Sequence, residues 1–197
     1  MMKRYLLTTL NLFLFFSIAG AQRIRLDTEA GTIELELYAS KAPITVANFL
    51  RYVDDKRYDG ATFYRVVRPD NQANNPIKID VIQGGLRNDS LRELPPISQE
   101  TTQRSGLKHL DGTLSMARGK PGSGSSEFFI CINDQPELDF GGKRNPDGQG
   151  FAAFGRVVKG MNVVRKIQKG QTAPSANAAT SQMLKNPVMI RTARRIR

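Results

Sequence analysis

The segments FYRVV, residues 63–67, and VIQGG, residues 81–85, bound the stretch of sequence that decides the fold. Side chains alternate between the two faces of a strand, so each segment predicts a strand with one functional face. Arg65 and Gln83 are therefore expected on rigid strands among apolar neighbours, which suits a polar site in an apolar groove. The residues predicted to share these faces are Phe63, Arg65 and Val67 in the first strand, and Val81 and Gln83 in the second.

The first 21 residues have the pattern of a secretory signal peptide. Lys3-Arg4 is a basic start, residues 6–18 are mostly apolar, and Ala19-Gly20-Ala21 offers small residues for cleavage. The apolar run has 13 residues, fewer than the roughly 20 that span a membrane. Cleavage is expected near Ala21. It would leave one domain, residues 22–197, in the periplasm or outside the cell and without stable membrane insertion.

The remaining domain is basic and has one cysteine. The chain carries a formal charge of +11, and losing Lys3 and Arg4 with the leader takes it to +9. Such a charge favours anionic surfaces in general, but export argues against nucleic acid as the partner. Cys131 lies in an apolar strand pattern without a second cysteine, which predicts a buried structural thiol.

Apolar periodicity predicts a mainly β domain with helical caps. Short alternating runs separated by turns indicate a barrel or a sandwich. Pro43 followed by apolar residues at helical spacing predicts a helix over residues 43–53, and a second short helix is expected near residues 163–167. Residues 86–108 and 171–182 are predicted to be irregular surface connections. The predicted strands cover residues 24–27, 33–37, 63–67, 81–85, 112–116, 127–132, 151–158 and 188–196.

The sequence lacks the groups needed for most covalent chemistry. One histidine and one cysteine do not make a zinc site of ordinary composition. Ser-His-Asp hydrolysis would have to use His109, but no G-x-S-x-G elbow occurs, and the adjacent Asp111-Gly112 turn favours a structural role. Gly119-Lys120 is followed by proline where a phosphate-binding loop requires Ser or Thr. These observations favour binding, or catalysis of a conformational step, without metal or cofactor.

Five segments resemble the cyclophilins, a family of peptidyl-prolyl cis-trans isomerases: FYRVV, VIQGG, GTLSMAR, SEFFIC and FAAFGRV. Their order and spacing match from about Ile24 to the C-terminus. The resemblance implies a closed eight-stranded antiparallel barrel capped by two short helices, with a substrate groove on its outer surface. It also implies activity on proline-containing polypeptides, without a cofactor or a covalent intermediate.

The resemblance assigns roles to individual groove residues. Arg65 matches the catalytic arginine, and Gln83 matches the glutamine that positions the arginine and the substrate. Phe129 matches the floor of the proline pocket. Ala117 and Arg118 match edge residues whose backbone pairs with the peptide. The other positions expected to bind substrate are Val81, Glu127, Leu138 and Phe151, with Phe63 added by strand alternation.

Four positions depart from the usual cyclophilin pattern. Arg118 replaces a usual asparagine, but its backbone contacts can survive the change. Glu127 stands where many members have glutamine, and it can either hold Arg65 in place or pair with it and weaken donation to the substrate. Glu137 stands where tryptophan is frequent, which leaves binding of cyclosporin-type ligands open. Asp80 stands at the position of an aromatic wall, for which Ile79 is a substitute.

The function expected from the sequence is prolyl isomerisation that helps exported proteins fold, by a monomer with Arg65 as the catalytic group. One alternative is a cyclophilin-like binding module or chaperone with little turnover, suggested by Glu127 and Glu137. A second alternative is a nucleic-acid or adhesion module. It is disfavoured because its basic residues lack interleaved aromatic side chains. Those residues are Arg191, Arg194, Arg195 and Arg197.

Overall fold

The computed structural model describes residues 22–73, 75–87, 89–173 and 181–197. The leader predicted for residues 1–21 lies outside these ranges, as does the middle of the connection predicted for residues 171–182. No helix in the described ranges is long and apolar enough to cross a membrane.

Eight strands form the body of the protein. They are β1 Gln22–Thr28, β2 Gly31–Leu37, β3 Thr62–Val67, β4 Val81–Gly85, β5 Thr113–Met116, β6 Phe128–Cys131, β7 Ala152–Lys159 and β8 Met183–Ile196. They close into a barrel in the order β1-β2-β7-β5-β6-β4-β3-β8, and every neighbouring pair is antiparallel. The predicted eight-stranded antiparallel barrel is thereby confirmed.

Two of the helices are those that the apolar spacing predicts. α1, Pro43–Asp54, begins with proline in its first turn and packs against β7 and β8. α3, Met161–Gln168, packs against β2, β3 and β4. A single helical turn, α2 at Thr102–Ser105, lies in the region predicted to be irregular. Thr101 caps it by accepting a hydrogen bond from the Arg104 amide.

The barrel interior is filled by apolar side chains from alternate strand positions. In β1 and β2 the alternation places every second residue inside, and the residues between them carry the charges. Phe49 of α1 lies at the centre, with ring centroids of Tyr58, Phe128 and Phe154 at 5.2 to 5.5 Å. Aromatic rings at such distances add to the stabilisation by burial.

A β-bulge in β3 changes which side chains face outward. Phe63 pairs with Gly84 and Arg65 pairs with Gln83, so Tyr64 is an extra residue in the ladder. Phe63 is fully buried in the barrel core, where its ring meets Phe128 edge-on at 5.7 Å. The prediction that Phe63 shares the outer face with Arg65 is therefore wrong, because the bulge breaks the alternation between them.

Candidate active site

A groove of about 470 Å³ lies on the outside of the barrel over β3, β4 and β6. The end of β5 and the loop of residues 140–150 form its sides. The groove brings together all the substrate positions expected from sequence except Phe63. The lining residues expected from sequence are Arg65, Val81, Gln83, Ala117, Arg118, Glu127, Phe129, Leu138 and Phe151.

The floor of the groove is a small apolar pocket, separate from the barrel core. Phe129 and Leu138 are buried there, and the half-buried ring of Phe151 stands perpendicular to Phe129 at 5.2 Å between centroids. Ile79 lines the same pocket, whereas the carboxylate of Asp80 accepts hydrogen bonds from Gln168. Ile79 thus occupies the wall for which it was the predicted substitute, and the pocket presents a wholly apolar surface to a small ring.

Arg65 lies at the rim of this pocket between two amide side chains. Its Nη1 donates to Gln83 Oε1 at 2.9 Å. Its Nε and Nη2 donate to Gln182 Oε1 at 3.1 and 2.6 Å. Burial lowers the pKa of the guanidinium, which nevertheless stays charged because arginine begins from a very high value. Two neutral acceptors thus fix the guanidinium without a neutralising carboxylate.

Glu127 reaches Arg65 only through two intervening side chains. Gln83 Nε2 donates to the Tyr64 hydroxyl at 2.8 Å, and that hydroxyl donates to Glu127 Oε2. The other oxygen, Oε1, accepts from the Arg87 amide at 2.9 Å. The sequence left two roles open for Glu127. The ion pairs among the described residues do not join Glu127 to Arg65, so Glu127 does not pair directly with the guanidinium.

Tyr64 therefore connects the carboxylate of Glu127 to Gln83. Burial and the charge of Glu127 raise the pKa of Tyr64 far above its ordinary value, so its hydroxyl keeps its proton and donates. The hydrogen bonds run in one direction, from Arg65 to Gln83, to Tyr64 and to Glu127. This relay orients the Gln83 amide with its oxygen toward Arg65.

Arg118 attaches the loop of residues 140–150 to the end of β5. Its Nη1 and Nη2 donate to the two carboxylate oxygens of Asp147 at 2.8 and 2.9 Å, and its Nε and Nη2 donate to the Gly150 carbonyl at 2.8 and 2.6 Å. The guanidinium also lies over the Phe151 ring, 5.2 Å from its centroid. Glu137 supports the same loop by accepting from the Lys143 amide at 2.8 Å, and it does not line the groove.

A buried hydrogen-bonded chain underlies the floor of the groove. His109 Nδ1 lies 2.8 Å from Asp139 Oδ1, and Nε2 lies 2.9 Å from Ser115 Oγ. The three side chains have the order of a hydrolytic triad, but Ser115 is 0% exposed, so no substrate can reach its hydroxyl. The imidazole stacks on Phe129. The structural role predicted for His109 is consistent with this position.

The structure also shows the position of the single cysteine and the arrangement of potential metal ligands. Cys131 is a free buried thiol beneath the groove, and burial raises its pKa well above the ordinary value. Within the ranges that the structure describes, no group of three His, Cys, Asp or Glu side chains is arranged to hold a metal ion.

Sequence reasoning missed Tyr64 and Gln182. Strand alternation placed Tyr64 on the strand face opposite Arg65, and a bulge has no sequence signature here. Gln182 belongs to a segment predicted to be a surface connection, yet it is 4% exposed and holds Arg65. Gln182 comes beside Arg65 only because β8, which follows it in the chain, pairs with β3.

Comparison with known proteins agrees with this geometry. The family profile described as cyclophilin type peptidyl-prolyl cis-trans isomerase/CLD matches residues 23–195. Peptidyl-prolyl cis-trans isomerase A of Dickeya dadantii is 37% identical, over 84% of this chain and 82% of the relative. Peptidyl-prolyl cis-trans isomerase B of Escherichia coli is 35% identical, over 77% and 87%. A crystal structure of a cyclophilin-type isomerase from Cryptosporidium parvum superposes with a TM-score of 0.69 at 21% identity, covering 90% of this chain and 98% of that one.

Proposed function

This chain belongs to the cyclophilin-type peptidyl-prolyl cis-trans isomerases, and on that premise we propose that Arg65 is its catalytic residue. The observation that carries the proposal is the position of Arg65 at the rim of the apolar pocket, held by two amide oxygens. A proline ring fits the pocket chemically because the floor is aromatic and aliphatic. The bond before that proline would then lie beside the guanidinium.

The chemistry requires only a well-placed donor. Rotation about the X-Pro bond faces a barrier of about 18 to 20 kcal/mol, because the C–N bond has partial double-bond character. As the bond twists, the prolyl nitrogen becomes pyramidal and its lone pair becomes available as an acceptor. A guanidinium that donates to this nitrogen binds the twisted state better than either planar isomer, which is the condition for catalysis. No covalent intermediate and no cofactor enter this scheme.

The hydrogen bonds of Arg65 leave donors free for this purpose. A guanidinium has five N–H groups, and the two glutamines occupy one on Nε, one on Nη1 and one on Nη2. Among the residues that the structure describes, one N–H on each terminal nitrogen therefore remains without an acceptor. Since amide oxygens are neutral acceptors, the positive charge is not cancelled by a bidentate ion pair.

Measured cis/trans exchange tests the catalytic role. NMR exchange spectroscopy on a short X-Pro peptide would compare the domain of residues 22–197 with its Arg65→Ala and Arg65→Lys variants. We expect the alanine variant to lose about 10² to 10³ in kcat/KM, as removal of a preorganised donor does elsewhere. The lysine variant keeps the positive charge but lacks the planar set of N–H donors of a guanidinium. It should therefore recover only part of the lost kcat/KM. A folded Arg65→Ala protein with full activity would overturn the mechanism.

We also propose that the protein is exported and acts on exported polypeptides. The basic, apolar and small-residue pattern of residues 1–21 supports export, and the substrates would then be exported polypeptides that contain proline. Mass spectrometry of the mature protein from cell fractions checks this, with a start at Gln22 in the periplasm or medium as the expected result. A cytoplasmic protein that retains residues 1–21 would contradict it.

A further inference from the structure

The loop of residues 140–150 brings a second arginine to the groove. Arg144 is half-buried and lines the groove beside the apolar pocket. Its Nη1 donates to Gln72 Oε1 at 2.8 Å and to the Ile77 carbonyl at 2.5 Å, both in the segment that precedes β4. These bonds fix the guanidinium across the end of the groove. Its Nε and Nη2 have no acceptor among the described side chains.

The charges of Arg144 and Arg65 are not compensated. Nine other arginines of the described residues form ion pairs with carboxylates. These two do not, and neither do six arginines that lie outside the groove. Every Asp and Glu of the chain lies in the described ranges. Burial, followed by the nearby charge of Arg65, lowers the pKa of Arg144. Two half-buried like charges without a carboxylate partner repel each other, and an anion bound between them would relieve this repulsion.

The neighbouring residue adds a donor without an acceptor. Asn145 lines the groove, and its Nδ2 is buried without a hydrogen-bond partner among the described residues. Buried polar groups are almost always hydrogen-bonded. Asn145 as a whole is only half-buried, so a turn of its side chain would bring this unsatisfied donor to a ligand atom in the groove. Arg144 and Asn145 together therefore place N–H donors at the same end of the groove.

The opposite end of the groove is acidic. Glu127 contacts the backbone just after β4, through the Arg87 amide, whereas Arg144 contacts the backbone just before β4, at Ile77. The five residues of β4 separate the two ends by roughly 13 Å at about 3.3 Å per residue. Glu93 also lines the groove, and its carboxylate accepts from Ser125 rather than from a cation. The two carboxylates of the groove thus lie at the end away from Arg144, where the Arg87 guanidinium is also near, 5.6 Å from the Tyr64 ring centroid.

We propose that Arg144 and Asn145 form a subsite for a carboxylate of the substrate, so that the enzyme prefers proline segments with Asp or Glu on one side of the proline. This inference rests on the proposed function, because the subsite adjoins the pocket that takes the proline. Arginine presents a planar fork that matches a carboxylate, and the free amide of Asn145 adds a third donor. An acidic residue on the other side of the proline would face Glu127 and Glu93 and be disfavoured.

A positional peptide scan tests the subsite. The peptides are Ala-based, acetylated and amidated, with one X-Pro bond and with Gln, Glu or Lys at each of three positions on either side. We expect Glu to exceed Gln by about fivefold in kcat/KM at one position, as for a partly exposed ion pair. The preference should fall as salt is added. A matching set with a free C-terminal carboxylate shows whether the subsite takes a side chain or a chain end.

Variants assign the preference to the subsite. Arg144→Gln should reduce the Glu-to-Gln ratio to about one, and Asn145→Ala should reduce it in part. Arg51→Gln removes the same charge from the exposed face of α1 and should leave the wild-type ratio. If Arg144→Gln does not fold, as judged by its NMR spectrum, the Asn145→Ala ratio decides the question alone.

The outcomes separate the two proposals. An active enzyme with equal kcat/KM for Glu and Gln peptides at every position overturns the subsite and leaves the isomerase function intact. An Arg144→Gln variant that slows all peptides by the same factor also overturns it, since that result indicates a structural role only. A folded wild type that accelerates none of the peptides overturns the proposed function itself.

Discussion

Arg65 keeps its charge available for a substrate because neutral glutamine side chains hold it. Gln83 and Gln182 supply oxygen acceptors on opposite sides of the guanidinium, and neither brings a negative charge. Glu127, the nearby carboxylate, is kept two side chains away by Tyr64 and Gln83. Its charge is thus used to fix an orientation rather than to neutralise the arginine.

The hydroxyl of Tyr64 is predicted to matter for catalysis without touching the substrate. Tyr64→Phe leaves Gln83 Nε2 without its acceptor and allows the amide to turn its nitrogen toward Arg65. We expect kcat to fall by about three- to tenfold, the value of one hydrogen bond, with little change in KM. The measurement is steady-state exchange by NMR. Tyr38→Phe, which removes a hydroxyl outside the groove, is the control. Wild-type kcat in Tyr64→Phe would show that the relay is dispensable.

At the scale of single residues, the sequence predicts the side chains expected to bind the substrate but misses the residues that hold them in place. Arg65, Gln83 and Phe129 lie in contiguous strand motifs, so their neighbours in sequence identify them. Gln182 and Arg144 lie in segments without periodicity. Their positions depend on which loop passes the groove, and local spacing carries no information about that.

The bulge in β3 is the element that creates the active face. By inserting Tyr64, it turns both Tyr64 and Arg65 outward while Phe63 and Val66 remain in the core. Gly84, opposite Phe63, leaves room for the ring, because a Cβ there would lie 2.8 Å from it. Strand periodicity predicts the strand itself correctly, but it cannot predict a one-residue insertion in the pairing.

Substitution at Phe63 distinguishes its observed place from the predicted one. Phe63→Leu should lower the free energy of unfolding by about 1 to 2 kcal/mol, because a buried ring is replaced by a smaller group. KM for an X-Pro peptide should not change. Phe129→Leu, in the groove floor, should instead raise KM. Urea unfolding and peptide kinetics on both variants provide the comparison. A raised KM in Phe63→Leu at unchanged stability would indicate that Phe63 contacts the substrate in the groove instead of packing in the core.

The loop of residues 140–150 shows a different limit of prediction. The sequence identified Arg118 as a groove residue, through the expected backbone pairing with the peptide. The structure adds that its side chain binds Asp147 and Gly150. An arginine at this position therefore couples the groove edge to the loop that carries Arg144. Such a long-range contact follows from the folded arrangement and not from spacing.

Across the whole molecule, stability should depend on the buried chain under the groove. Burial would raise the pKa of Asp139, but hydrogen bonds from His109 outweigh it and lower the pKa below its usual 3.8. A carboxylate with a lowered pKa stabilises the fold above its unfolded pKa, and this contribution is lost as pH falls through the folded pKa. Stability is therefore expected to decline below about pH 4.

Asp139→Asn tests this dependence. The variant should lose about 1 to 2 kcal/mol of unfolding free energy at pH 7, because a charged acceptor is replaced by a neutral one. The difference from wild type should shrink as pH falls toward 3. Urea unfolding at pH 7, 5 and 3 measures it, with the exposed Asp70→Asn as control. A difference that stays constant across this range would show that Asp139 contributes through packing alone.

The barrel is closed between the first strand and the last one. β8 pairs with β1 along one edge and with β3, which carries Arg65, along the other. While the chain folds, β1 and β3 each lack one neighbouring strand until residues 183–196 have joined the barrel, and Gln182 arrives with them. Pairings between distant parts of a chain form slowly, and the nascent protein spends that time with open sheet edges and an unsupported arginine. This prolyl isomerase thus completes its own groove only when β8 and Gln182 are in place.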